Sequence, residues 1–217
     1  MIRINKGREP EAWRLRRITP GFTAFESIPE LRSSLLEEQG FICAYCMRRI
    51  PVRDPWSDAD TKIEHIRPRS THPAMELEYG NLAVCCPGFM DGVAHCDSSK
   101  GDGIVSFNIH ESRLQDSISY SLHDGSIRSS VPDWNEDLDR VLNLNHEKLK
   151  ANRNEALTAV ITVLNRKAGG DGRWSPRTVQ VQLDRWRSRD GEGRFFPFCG
   201  IVIWFLKKRL KAISSMR

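Results

Sequence analysis

No stretch of this sequence is long and apolar enough to cross a bilayer. The longest apolar run, Phe195–Leu206 ("FFPFCGIVIWFL"), is interrupted by Pro197 and Gly200. It falls short of the roughly 18 residues that a membrane helix needs, so it reads as a buried or partner-facing helix. The N-terminal residues, "MIRINKGREPEAWRLRR", are charged and lack the apolar core of a secretory signal. The expectation is therefore a cytoplasmic protein with no membrane association, in a compartment where structural disulfides are rare. There is no internal repeat and no low-complexity tract. The βαβ pattern that would make a CxxC a thioredoxin-like redox pair is also missing.

What is present is the composition of a packed domain. The 217 residues suffice for one large domain or two small ones. A hydrophobic share of 39% against 28% charged predicts a soluble chain with a core. The net charge of +5 is a mild basic excess, which suits a polyanionic partner without requiring one. Basic clusters stand at Arg14–Arg17, Arg48–Arg53, Arg185–Arg194 and Lys207–Lys211, each equally readable as a solvated face.

Residues 1–27 read as an arm of low helical content. Residues 27–40 read as a helix, with Ser27 as N-cap, Pro29 in the first turn and Gly40 at the C-terminus. A polar loop is expected over 53–60 and a short strand over "TKIEHIRPRS". The stretch 118–130 reads as a hairpin turning at Asp124-Gly125. From Asn135 the apolar positions take a helical period through Leu164. After a Gly-rich break, "TVQVQLDRWRSRD" and "FCGIVIWFLKKRLKAI" predict two further helices. The fold class is α+β in three parts: 1–40, an arm and helix; 41–131, a ligand-rich core ending in the hairpin; 132–217, a helical region suited to partner docking.

Five of the six cysteines lie within residues 43–96. Cys43 and Cys46 form one CxxC, and Cys85, Cys86 and Cys96 follow about forty residues later. Two separated cysteine groups in a reducing compartment are the pattern of a structural Zn²⁺ site. The second group is irregular: nine residues separate Cys86 from Cys96, and Cys85 competes with Cys86. Between the groups stand Glu64, His65 and Asn81, and Asp97 adjoins Cys96. A hard cation such as Mg²⁺ or Mn²⁺ takes carboxylate oxygens, and a neutral imidazole accepts a proton from water. Together these side chains have the chemistry of a metal-dependent phosphodiesterase. His95, just before Cys96, is readable as a fourth zinc ligand or a phosphate contact, with exposure in a loop the expectation. "LNLNH", 142–146, is expected at a helix terminus packed on the ligand-rich region.

The assembly "CAYC…IEHIRP…GNLAVCC…HCDSSKG" resembles the HNH (ββα-metal) endonuclease motif. With "LLEEQGFICAYCMRRI" and "VLNLNHEKLKANRNEAL", it resembles in particular the HNH nucleases of retron-associated and Septu-type anti-phage defence. The match runs over about residues 3–210 in layout and is sharpest at 37–70, 79–102 and 141–157. The resemblance implies a zinc-braced ββα-metal core with His65 as general base. It implies Glu64 and Asp97 as ligands of a catalytic Mg²⁺ or Mn²⁺, and Asn81 as the residue ordering the loop. Cys43, Cys46, Cys86 and Cys96 would hold the zinc. It departs at Asp97, where the family carries asparagine or histidine, and at the "PGFMDGVAH" insert. The implied substrate is DNA, with RNA including tRNA as the alternative, and Arg67, Arg69 and Lys100 are expected at phosphates. The implied partner is an ABC-type ATPase, with a retron reverse transcriptase and its small DNA as further components. The rival from another class is a catalytically silent zinc module that binds nucleic acid or serves as an adaptor.

Overall fold

Lys62–His65 (β1) and Leu82–Cys85 (β2) pair antiparallel, with Glu64 opposite Ala83 and His65 opposite Leu82. The computed structural model describes residues 1–52, 60–169 and 172–215. Among them this hairpin is one of three two-stranded sheets in a mixed α+β fold. Residues 53–59 of the expected polar loop and residues 170–171 of the Gly-rich break lie outside the described residues. Among those described, no helix is long and apolar enough to cross a membrane.

The connection from β1 to β2 carries two 3₁₀ turns, Pro73–Met75 and Tyr79–Asn81. The insert between Cys86 and Cys96 folds back as a small hairpin, Phe89–Met90 (β3) with Val93–Ala94 (β4). A single-turn helix, Asp97–Lys100 (α3), follows at once.

The N-terminal arm holds more helix than its prolines suggest. Pro10 precedes Glu11–Arg17 (α1), whose Trp13 is fully buried and packs against Phe22 and Phe25. Proline fits just ahead of a helix, where its missing N–H costs nothing. The next helix, Pro29–Glu38 (α2), starts one residue later than a Ser27 cap implies. Its N-cap is Ile28, with no side-chain cap bond. Gly40 lies just past its end at φ +58°, where a Cβ would also strike the Phe195 ring.

Ser112–Ser117 (α4) leads into the expected hairpin, Ile118–Tyr120 (β5) with Ile127–Ser129 (β6). Its loop runs over Ser121–Ser126, longer than a two-residue turn. Asp124 accepts from the Ser126 N–H and hydroxyl there.

The helical period from Asn135 is not one helix. Pro132–Glu136 (α5) passes into a π-helical turn, Asp137–Val141, and the chain breaks at Asn143, φ +47°. The long helix Glu147–Arg166 (α6) then starts, capped by His146, whose ring accepts from Lys148 N–H. The break lets "LNLNH" reach the ligand-rich region, as the sequence suggested. Leu142 O accepts from Cys96 N–H at 2.8 Å, and Asn143 Nδ2 donates to Ala94 O.

Pro176–Arg187 (α7) and Cys199–Ser214 (α8) complete the chain. The apolar run of α8 is not a docking face. Cys199, Gly200, Ile201, Val202, Ile203, Phe205 and Leu206 are all buried within this chain, in one core that also holds Tyr45, Leu82 and Leu142. The expectation of partner docking through "FCGIVIWFL" is corrected accordingly: burying that run is what holds the helix on the rest of the fold.

Candidate active site and metal centre

The first CxxC sits in a tight turn. Met47 N–H donates to Cys43 O, Cys43 N–H donates to Arg48 O, and Met47 takes φ +63°. Arg48 N–H points at Cys46 Sγ at 3.5 Å. This turn aims both sulfurs the same way, and α3 and the end of β2 bring the other two to meet them. The Sγ atoms of Cys43, Cys46, Cys86 and Cys96 all lie within 4.8 Å of one another, and all four residues are buried. The Cys43–Cys96 and Cys46–Cys86 pairs are each 3.8 Å apart. A tetrahedral ion with Zn–S bonds of about 2.3 Å demands S–S edges of about 3.8 Å, so the four thiols fit zinc.

Their electrostatics fit it too. Burial pushes the thiols of Cys46 and Cys96 well above the ordinary range. Burial acts the same way on Cys43, but hydrogen bonds from its sulfur neighbours win and hold it well below. The Cys86 thiol is brought down to about 7 against an opposing hydrogen bond from Cys43, by those from Cys46 and Cys96. A cluster already partly ionised, with no carboxylate among its ligands, is suited to a thiophilic dication that displaces the remaining protons.

Cys85 stands outside the cluster. Adjacent residues on an extended strand face opposite ways, so only one of Cys85 and Cys86 can turn toward it. Burial keeps the Cys85 thiol well above the ordinary range.

His95 is not the exposed loop residue expected from the sequence. It is fully buried, with Nδ1 at 3.1 Å from Cys96 Sγ and Nε2 without a partner. The β3–β4 hairpin folds it inward: His95 N–H donates to Gly88 O at 2.7 Å.

Next to the cluster opens a cleft of about 580 Å³, bordered by Phe25, Lys62, Glu64, His65, Arg69 and Asp97, among others. Glu64 is 3% exposed. Its Oε1 accepts from the Tyr45 hydroxyl at 2.8 Å and pairs with Lys100 Nζ at 2.8 Å. Asp97, at the start of α3, borders the same cleft. Burial, reinforced by Asp97 and opposed by Lys100, pushes Glu64 up to about 8. Two carboxyls on one cleft offer oxygens to a cation between them. Such an oxygen pair fits a hard divalent ion.

His65 follows Glu64 at the end of β1 and borders the same cleft. Its ring packs edge-on against Phe25, with centroids 4.7 Å apart. Nε2 lies 3.0 Å from Glu76 O. A carbonyl only accepts, so Nε2 carries the hydrogen and Nδ1 keeps the lone pair. Burial lowers the ring's pKa below 6.5, against the pull of that carbonyl. His65 is therefore neutral at pH 7 and able to take a proton.

Asn81 ties down the loop between the strands. Its Oδ1 accepts from Arg67 N–H at 2.8 Å, and its Nδ2 donates to Arg67 O and Met75 O at 3.0 Å.

The three expected phosphate contacts fare differently. Arg69 borders the cleft, 3.4 Å from Glu76. The Arg67 guanidinium donates to Val105 O at 3.2 Å and is not among the cleft's bordering residues. Lys100 is corrected: its side chain is 1% exposed and its ammonium is spent on Glu64 and on His65 O at 3.1 Å. A buried ammonium so engaged has no free face for a phosphate.

Three residues of the site escaped the sequence reading. Lys62 borders the cleft, with Nζ 4.0 Å from Asp97 Oδ2. Its spacing of two from Glu64 on a strand was a usable signal. Tyr45 lay in plain view between two cysteines. Phe25 arrives from the arm and carries no local signal at all.

No protein-family model matches the chain, and no curated protein matches it. The geometry above, with the motif resemblance, is what a functional reading rests on.

Proposed function

We propose that this protein is a metal-dependent HNH endonuclease, cutting nucleic-acid phosphodiester bonds with a ββα-metal core formed by β1, β2 and α3. The observation that carries the reading is the meeting of His65, Glu64 and Asp97 at one cleft beside a four-cysteine cluster. Zinc binding alone has no use for that trio.

Glu64 and Asp97 would hold one Mg²⁺ or Mn²⁺, which supplies neutralisation of the scissile phosphate and of the leaving oxygen. His65 Nδ1 takes the proton of the attacking water. The Nε2–H bond to Glu76 O and the Phe25 ring hold the imidazole in that tautomer and orientation. Asn81 fixes the loop that carries Glu76, and so acts on His65 indirectly. Lys62 and Arg69, on the border of the cleft, supply positive charge toward a polyanion.

DNA is the substrate we favour, with RNA including tRNA as the alternative. The role in an anti-phage complex with an ABC-type ATPase, and with a retron reverse transcriptase and its small DNA, rests on the motif resemblance.

One observation favours the rival of a silent zinc module: Lys100 already offsets the charge of Glu64 without any added cation. A cleavage assay separates the two. Plasmid DNA and total tRNA are incubated with the protein and Mg²⁺, Mn²⁺ or EDTA, alone and with the ATPase partner. We expect metal-dependent cutting, reduced about 10²–10⁴-fold in His65→Ala, with zinc content unchanged. Cutting at the parental rate by His65→Ala would refute the assignment of the base.

A further inference from the structure

Both donors that grip Glu64 are attached to the zinc cluster. Tyr45 lies between the ligands Cys43 and Cys46, and its ring is fully buried. Lys100 ends α3, and its N–H donates to the carbonyl of the ligand Cys96 at 2.9 Å. The two approach Glu64 from different elements and converge on one oxygen, Oε1, each at 2.8 Å. Neither of these two bonds uses Oε2. No other hydroxyl or ammonium donor to Glu64 stands among the described residues.

From this convergence we infer that Tyr45 and Lys100 are positioning residues that couple the two metal sites. They turn Glu64 into a one-oxygen ligand facing the cleft, and they hold it only while the cysteine cluster is closed. The inference rests on the proposed nuclease reading. The physical logic is that of outer-shell partners, which fix a ligand's orientation before the ion arrives. The Tyr45 phenol is carried on the CxxC turn, whose backbone also carries two of the sulfurs. Closure of the cluster is thereby transmitted to a carboxylate on another strand.

The test uses the full-length zinc-loaded protein and Mn²⁺ alone, with free Mn²⁺ followed by electron paramagnetic resonance. Tyr45→Phe removes one hydroxyl and keeps the ring. We expect its zinc content and melting temperature to stay near the parent's while Mn²⁺ affinity falls about tenfold or more. In a cleavage assay the half-saturating Mn²⁺ concentration should rise by the same factor with the plateau retained. A merely structural tyrosine would not produce that split. Unchanged Mn²⁺ affinity in folded, zinc-replete Tyr45→Phe would overturn the inference.

A second measurement needs no substitution. The cysteine cluster is loaded with Co²⁺ in place of zinc, and Mg²⁺ is titrated in. Coupling predicts a shift of the cobalt–thiolate absorption bands, whereas silent bands through Mg²⁺ saturation would also count against it. Glu64→Gln separates the two levels of the argument. If it binds Mn²⁺ as well as the parent, the carboxylate site itself is wrong and the nuclease reading fails with it. If it loses Mn²⁺ while Tyr45→Phe does not, only the coupling fails.

Discussion

The ligand-rich region from Phe41 to Lys100 and the helical region from Glu147 onward are stabilised by different physics. The first is built of strands of two to four residues and a helix of four. Such elements are far too short to hold their own shape. What closes them is the cluster of four thiols. The second region has helices of 20, 12 and 16 residues, with Leu149, Leu157, Val160 and Leu164 buried along one stripe of α6. It is held by burial of apolar surface. Both regions share one hydrophobic core, but only the first also carries a four-thiol cluster that could draw stability from an ion.

The sharpest way to break that comparison is to open the cysteine cluster. Cys46→Ala, or chelation, should cost the ligand-rich region on the order of 10 kcal/mol of apparent stabilisation. That exceeds the whole stability of many domains. Hydrogen exchange read segment by segment should show protection lost over residues 41–100 first. Amides of α6 that open no later than those of β1 would count against the division.

A smaller effect is expected from the other side. Phe205 of α8 is 1% exposed, and Phe205→Ala should cost about 3–5 kcal/mol through the cavity it leaves. Urea titration of the zinc-loaded protein measures it, and zinc stoichiometry should stay at the parental value.

Asn81→Ala should cost less, about 1 kcal/mol for each of its three side-chain bonds at most. Cleavage should drop more steeply than stability, because the loop holding Glu76 against His65 loosens. Equal loss of both would make Asn81 a simple structural residue.

The smallest effect belongs to neither region. His110 is half-buried, and its Nδ1–H donates to Ile4 O at 3.1 Å. Burial, with Lys6 adding to it, lowers its pKa below 6.5 in the folded state. The unfolded chain therefore binds the proton more readily. This contribution is whole above pH 6.5 and is lost as pH falls through the window beneath it, with a slope of at most about 1.4 kcal/mol per pH unit. His110→Gln should flatten the melting curve's dependence on pH between 5 and 7, and an unchanged dependence would remove His110 from the account.

The same contrast explains what could be read from the residues in advance. α7 and α8 were legible because a 3.6 period survives in sequence. The cysteine cluster was legible because few residue types bind zinc. The break at Asn143 was not, because its cause lies elsewhere in the fold, in the bonds from Leu142 and Asn143 to Cys96 and Ala94. Lys100 was misjudged for a related reason. A lysine after a nuclease-like motif suggests phosphate, and only the packing shows its ammonium turned inward to Glu64. Phe25 and Trp13 enter the site region from an arm that carries no motif, so their placement depends entirely on long-range packing.

The small hairpin between Cys86 and Cys96 has a practical meaning for anyone wishing to watch this protein work. Its two strands return the chain to where it left, so the distance between those two sulfurs does not depend on how many residues intervene. Its tip at Asp91-Gly92 is open to solvent, and a Cβ at Gly92 would meet nothing. A peptide tag or a fluorophore spliced in at that tip would leave the ligands in register. It would sit on a short excursion whose two ends lie at the cysteine cluster, where its emission would report whether the cluster is filled.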